Sequence, residues 1–101
     1  MDGDKILIAE ADKNNAELIS IKLSNAGYIL FSAMDGETAL EKVYNNRPDL
    51  MLISFDLPGK TSLEVCYELR NNPDFANLPI VLMVNRNFDE AQINYGQLKI
   101  D

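Results

Sequence analysis

A chain of 101 residues with 47% hydrophobic content can fill one domain's core, and no run in it approaches the ~18 apolar residues of a membrane span. The formal net charge of −7 argues against a nucleic-acid surface, which needs clustered Lys and Arg, and fits a protein that meets other proteins or cations. With no His and a single cysteine, Cys66, the chain offers no imidazole catalysis, zinc site, nucleophilic triad or internal disulfide, and a reducing cytoplasm is its expected location.

Met1-Asp2-Gly3-Asp4-Lys5 lacks the basic segment and apolar run of a secretory signal. Ile6-Leu7-Ile8-Ala9 then reads as a short buried strand ending in Glu10-Ala11-Asp12. From there Ala16, Ile19, Leu23 and Ala26 recur at helical spacing, with Gly27 as the stop. Asn14 and Glu17 have the spacing of a capping pair for that helix, and Asp12 is expected as an Asx-turn or helix-start acceptor. Tyr28-Ile29-Leu30-Phe31 is a second strand. Asp35-Gly36 opens a second helix, in which Ala39 pairs with Val43 and Leu40 with Tyr44.

Arg47-Pro48-Asp49 closes that helix. Leu50-Met51-Leu52-Ile53 is too short for a buried helix and reads as a central strand covered on both faces. Pro58-Gly59 force a turn, Thr61 and Glu64 form a capping pair, and Leu63, Cys66 and Leu69 mark the buried face of a third helix. Asn71 to Asp74 form a loop, and Leu78-Pro79 lead into a strand over Ile80-Val84. Asn87 with Glu90 starts a last short helix ended by Gly96, and Leu98-Lys99-Ile100 are open between a frayed turn and a stunted strand. Strands alternating with helices predict a doubly wound parallel α/β sheet in one domain over residues 1–101. Such sheets place their chemistry in loops following the strands, here the loop that starts at Ser54.

Taken in order, these landmarks resemble the receiver domain of two-component response regulators. The likeness is carried by Lys5-Ile6-Leu7-Ile8-Ala9 before an acidic residue, Asn25-Ala26-Gly27-Tyr28, and Ala33-Met34-Asp35-Gly36-Glu37-Thr38-Ala39-Leu40. It continues with Arg47-Pro48-Asp49-Leu50, Leu57-Pro58-Gly59 with Leu63-Glu64-Val65-Cys66, and Leu78-Pro79-Ile80-Val81. The resemblance implies a flavodoxin-like (βα)4 fold with strand order 2-1-3-4-5, in which the fifth βα unit is truncated or missing.

In that family a histidine kinase's phosphoryl group passes to an Asp four residues before the Pro, and the matching position here is Ser54. A neutral alcohol cannot form an acyl phosphate, and no His or Lys base is at hand to activate it. The family's acidic pair falls on Glu10 and Ala11, so one carboxylate is missing from what resembles a magnesium site. Its phosphate-sensing Thr or Ser falls on Val84, which has no donor, and its Lys on a fifth strand has no counterpart before Asp101.

The resemblance therefore implies a degenerate receiver, or pseudo-receiver: a phosphorylation-independent protein-interaction module in two-component signalling or a phosphorelay, and not an enzyme. An alternative is a phosphate- or cation-responsive switch using Glu10, Asp56 and Ser54, with Glu10 and Asp56 as weak Mg²⁺ ligands and no other cofactor. A relic, or a fragment of a longer regulator, is a third possibility. Each residue also has a plainer reading. Ser54 can be a satisfied polar residue at a strand end, Asp56 a solvated loop residue or one accepting bonds from turn amides, Cys66 core packing and Lys60 a solvated turn residue. With only four clear strands, Ile80-Val84 is expected as an exposed edge, covered by a signalling partner or a second copy of the chain. No contact with nucleic acid or membrane is expected.

Overall fold

The computed structural model describes residues 3–84, and the expected helix from Asn87 and the tail at Leu98-Ile100 lie outside them. Its elements run β1 (Lys5–Ala9), α1 (Lys13–Asn25), β2 (Ile29–Ala33), α2 (Gly36–Asn46), β3 (Leu50–Ser54), α3 (Ser62–Arg70) and β4 (Ile80–Met83). The strands form a parallel sheet in the order β2-β1-β3-β4. That order matches the first four strands of the expected 2-1-3-4-5 arrangement. The chain reverses direction of travel across the sheet between β1 and β3, and crevices at such a switch point are where open α/β sheets bind ligands.

Side chains alternate between the two faces of each strand. Leu7 and Ala9 of β1, Met51 and Ile53 of β3 and Ile80 of β4 join one core with Ala39, Leu40 and Val43 of α2 and Val65, Cys66 and Leu69 of α3. Ile6 and Ile8 are equally buried but point to the opposite face, where α1 packs on β1 and β2. The two faces are unequal, since α1 has no fully buried residue. Leu18 and Ile21 stand 61% and 51% exposed on it. This corrects the expectation of a β3 strand sealed on both sides: Leu50 and Leu52 are only half-buried, because no described helix covers them on the α1 face.

Several boundaries shift by a residue or two. β1 begins at Lys5, whose N–H donates to Asp49 Oδ2 at 2.8 Å. β2 covers Ile29–Ala33 rather than starting at Tyr28, and Val84 lies past the end of β4. In α1 the capping residue is Asp12, not Asn14. Asp12 is extended (φ −79°, ψ 115°) and its Oδ1 accepts from Asn15 N at 3.1 Å, while Asn14 is already helical and cannot cap. Asp35 caps α2 by accepting from Thr38 N at 2.7 Å. Thr61 and Glu64 form the expected reciprocal capping box on α3. On α3 the buried face holds Val65 with Cys66 and Leu69, and Leu63 is half-buried at its margin.

Candidate functional site

Three loops leave the carboxyl ends of β1, β3 and β4 on the same side of the sheet. Glu10, Ala11 and Asp12 follow β1, Ser54 ends β3 with Asp56 beyond it, and Met83 ends β4 with Val84 just past it. Together with Asn15, Leu18 and Ile19 of α1 they line one cleft. All five positions singled out in the sequence (Glu10, Ala11, Ser54, Asp56 and Val84) are thus brought to a single site.

Within the cleft, Glu10 is the buried carboxylate, 9% exposed. Its backbone N–H donates to Ala33 O at 2.9 Å, continuing the β1–β2 ladder. Its Oε2 accepts from Asp12 N at 3.1 Å, which fixes the turn into α1. Ser54 is half-buried and registers against Met83 across the β3–β4 ladder, and the next residue, Phe55, donates its N–H to Met83 O at 2.8 Å. Asp56 is exposed and lines both this cleft and a neighbouring groove formed with Phe55, Leu57, Pro58, Thr61 and Leu63. Val84 presents an exposed isopropyl group to the cleft wall.

A divalent cation such as Mg²⁺ takes an octahedral set of hard oxygen ligands. Ala11 supplies no donor, and one oxygen of Glu10 is already committed to the backbone. Among the described residues no group of three or more His, Cys, Asp or Glu side chains is placed to hold a metal ion. The side chains present therefore do not fit a tightly held resident magnesium.

Two residues read from the sequence as structural or solvated have defined surroundings. Cys66 is fully buried, and burial pushes its thiol up to about 11, with the charge of Arg70 opposing the rise. That is the core cysteine expected. Lys60 lies in the turn before α3 and keeps a third of its side chain exposed, and it also has partners there: its Nζ donates to Glu68 Oε2 at 2.8 Å, and its backbone N–H meets the Glu37 carboxylate. The bond to Glu68 holds the Lys60 ammonium above the ordinary lysine range. Glu37 and Ser62 also matter locally and were not singled out in the sequence. Their partners, Lys60 and Phe55, lie on other segments, so no short-range spacing marks them.

Among the described residues no helix is long and apolar enough to cross a membrane. The family model described as "Response regulator receiver domain" matches residues 6–101. A protein from Chloroflexus aurantiacus J-10-fl described as a response regulator is 29% identical, the match covering 99% of this chain and 82% of that one at a TM-score of 0.89. The chemotaxis response regulator CheY4 of Vibrio cholerae shares the fold at 22% identity, with 97% and 82% of the two chains covered and a TM-score of 0.88. So does the receiver domain of the sensor histidine kinase PA1611 from Pseudomonas aeruginosa PAO1, solved with magnesium in its active-site cleft, at 24% identity, 98% and 81% coverage and a TM-score of 0.86. With the family model spanning nearly the whole sequence and the parallel sheet in the matching order, this chain belongs to the response regulator receiver domain family.

Proposed function

We propose that this receiver domain works without phosphorylation, as a protein-interaction module in two-component-type signalling, and that it catalyses no reaction. The observation that carries the reading is Ser54 in the cleft at the end of β3, beside Glu10 and Ala11. A receiver's acceptor is a carboxylate, whose acyl phosphate is energetic enough to drive a conformational change. A serine hydroxyl offers no such chemistry, and no described side chain lining the cleft is a His or Lys able to take its proton. Val84 lines the same cleft with a methyl-bearing side chain that cannot hydrogen-bond a phosphoryl oxygen.

By the same reasoning Mg²⁺ binding is weak, with Glu10 and Asp56 as its carboxylates. A cytoplasmic setting fits the single buried thiol. The partner is a signalling protein or a second copy of the chain, which meets the sheet at β4. Among the described strands β4 is one of the two at the sheet's edges, and Val81 on it and Val84 just past it expose apolar surface, 37% and 47% accessible. A cation- or phosphate-responsive switch is the second reading, favoured by Glu10, Ser54 and Asp56 lining one cleft.

Amide NMR during titration with Mg²⁺ and a phosphoryl mimic separates the two. Phosphorylation independence predicts that the phosphoryl mimic adds no saturable shift in the amides of Glu10–Asp12 or Ser54–Asp56 beyond what Mg²⁺ alone produces in the millimolar range. A saturable, mimic-dependent shift in both segments would establish the switch instead.

A further inference from the structure

The loop between β3 and α3 is fastened along its whole length. At its start Phe55 N–H donates to Met83 O at 2.8 Å, and the Phe55 carbonyl accepts the buried Ser62 hydroxyl at 3.0 Å. Leu57 N–H then donates to Phe55 O at 3.1 Å, and the Pro58 carbonyl accepts Gly36 N–H from α2 at 3.2 Å. Lys60 closes the series. Its backbone N–H donates to the Glu37 carboxylate, 3.1 Å from each oxygen, while its Nζ reaches Glu68 on α3. Glu68 in turn accepts the Tyr44 hydroxyl of α2 at 3.4 Å.

Two glycines make this approach possible. A Cβ on Gly36 would collide with the Lys60 carbonyl, and one on Gly59, where φ is +74°, would collide with Glu37 Oε1. The backbone of the loop and the first turn of α2 are therefore in direct contact, with the Glu37 carboxylate seated over Gly59. A hydrogen bond to a carboxylate is stronger than one between neutral groups, and a bond at one end of a short, internally bonded loop restrains the rest.

We propose that residues 55–61 form a latched strap with Glu37 as the latch. By holding the Lys60 N–H, α2 ties together the cleft wall at Asp56 and the groove wall at Leu57, so that the strap opens as one unit when the latch releases. The device links the cleft to the α2–α3 surface through the loop backbone and the side chains of Glu37 and Ser62 that hold it. It is independent of whether Ser54 accepts phosphate.

Hydrogen exchange read by NMR on the full chain tests this, comparing the wild type with Glu37→Ala and Glu37→Gln. Far-UV circular dichroism confirms that each is folded. Glu37→Ala is expected to speed exchange at Lys60 and Leu57 together, by about tenfold for loss of one charge-assisted bond, with Ile53 in β3 unchanged. Glu37→Gln keeps the shape and one acceptor oxygen and accelerates the same pair less; it carries the test alone should Glu37→Ala not fold. Acceleration confined to Lys60, or absent from both amides, would show that the loop is held residue by residue and overturn the latch.

Discussion

The Oε2 of Glu10 accepts the backbone N–H of Asp12 at 3.1 Å, while the side chain of Asp12 accepts from Asn15 to start α1. The most buried carboxylate of the cleft thus spends one of its oxygens on the turn that follows β1. With Ala11 between the two acids contributing nothing, the cleft is short of free oxygen ligands. Calorimetry should find Mg²⁺ affinity in the millimolar range or no binding. Micromolar affinity that survives Asp56→Asn would place the ion elsewhere.

Cys66 gives a test of the core that is independent of the cleft. Its thiol is sealed between α3 and the sheet and raised from 9.0 to about 11, so the folded state holds the proton more firmly than the unfolded chain. That contribution is fully present below about pH 9 and is lost as pH rises toward the folded value near 11. Stability by urea unfolding should therefore fall between those limits, and less steeply in Cys66→Ala. A disulfide reagent at neutral pH should label the thiol no faster than the protein unfolds.

Helix starts supply two further expectations. Thr61→Ala removes one half of the capping box on α3 and should cost about 1 kcal/mol in urea unfolding. Asp35 lies below its ordinary value of 3.8, chiefly because the Thr38 N–H bonds to its charged form. Its contribution is present above the unfolded value and disappears as pH falls through the depressed folded one. Asp35→Asn should flatten the acid limb of the stability curve, and an unchanged limb would remove Asp35 as its cause.

Local rules made much of the fold legible, and tertiary contacts account for what they missed. Asp35-Gly36 and Thr61 with Glu64 are short-range signals, and both caps stand where their spacing placed them. Asn14 misled because its spacing to Glu17 copies a capping box, although Asp12, two residues earlier, has the extended backbone a cap requires. Arg47 ends α2 in the left-handed region (φ 47°), where Gly or Asn is usual. Pro48 next to it marks the helix end but not the left-handed turn; the Arg47 guanidinium lies 5.4 Å from the centre of the Phe75 ring, in a loop far along the chain. The link from Glu37 to Lys60 is equally long-range, 23 residues apart. At the cleft, the spacing from Pro58 back to Ser54 and the Glu10-Ala11 pair pointed to residues that the fold does bring together.

The exposed apolar groups on β4 and α1 carry an expectation about assembly. Val81 of β4, Val84 just past it, and Leu18 and Ile21 of α1 are exposed apolar side chains. Sedimentation at micromolar concentration should show self-association, or a partner should be needed to keep the chain monodisperse. Val81→Lys should weaken the association. A monomer whose Ile80–Met83 amides are strongly protected would exclude an interface at that strand.

Phosphorylation independence is tested most directly by intact mass after incubation with acetyl phosphate and Mg²⁺. Ser54 at the end of β3, with Ala11 and Val84 in the same cleft, predicts no change in mass. A stable gain of one phosphoryl group, abolished by Ser54→Ala, would contradict it.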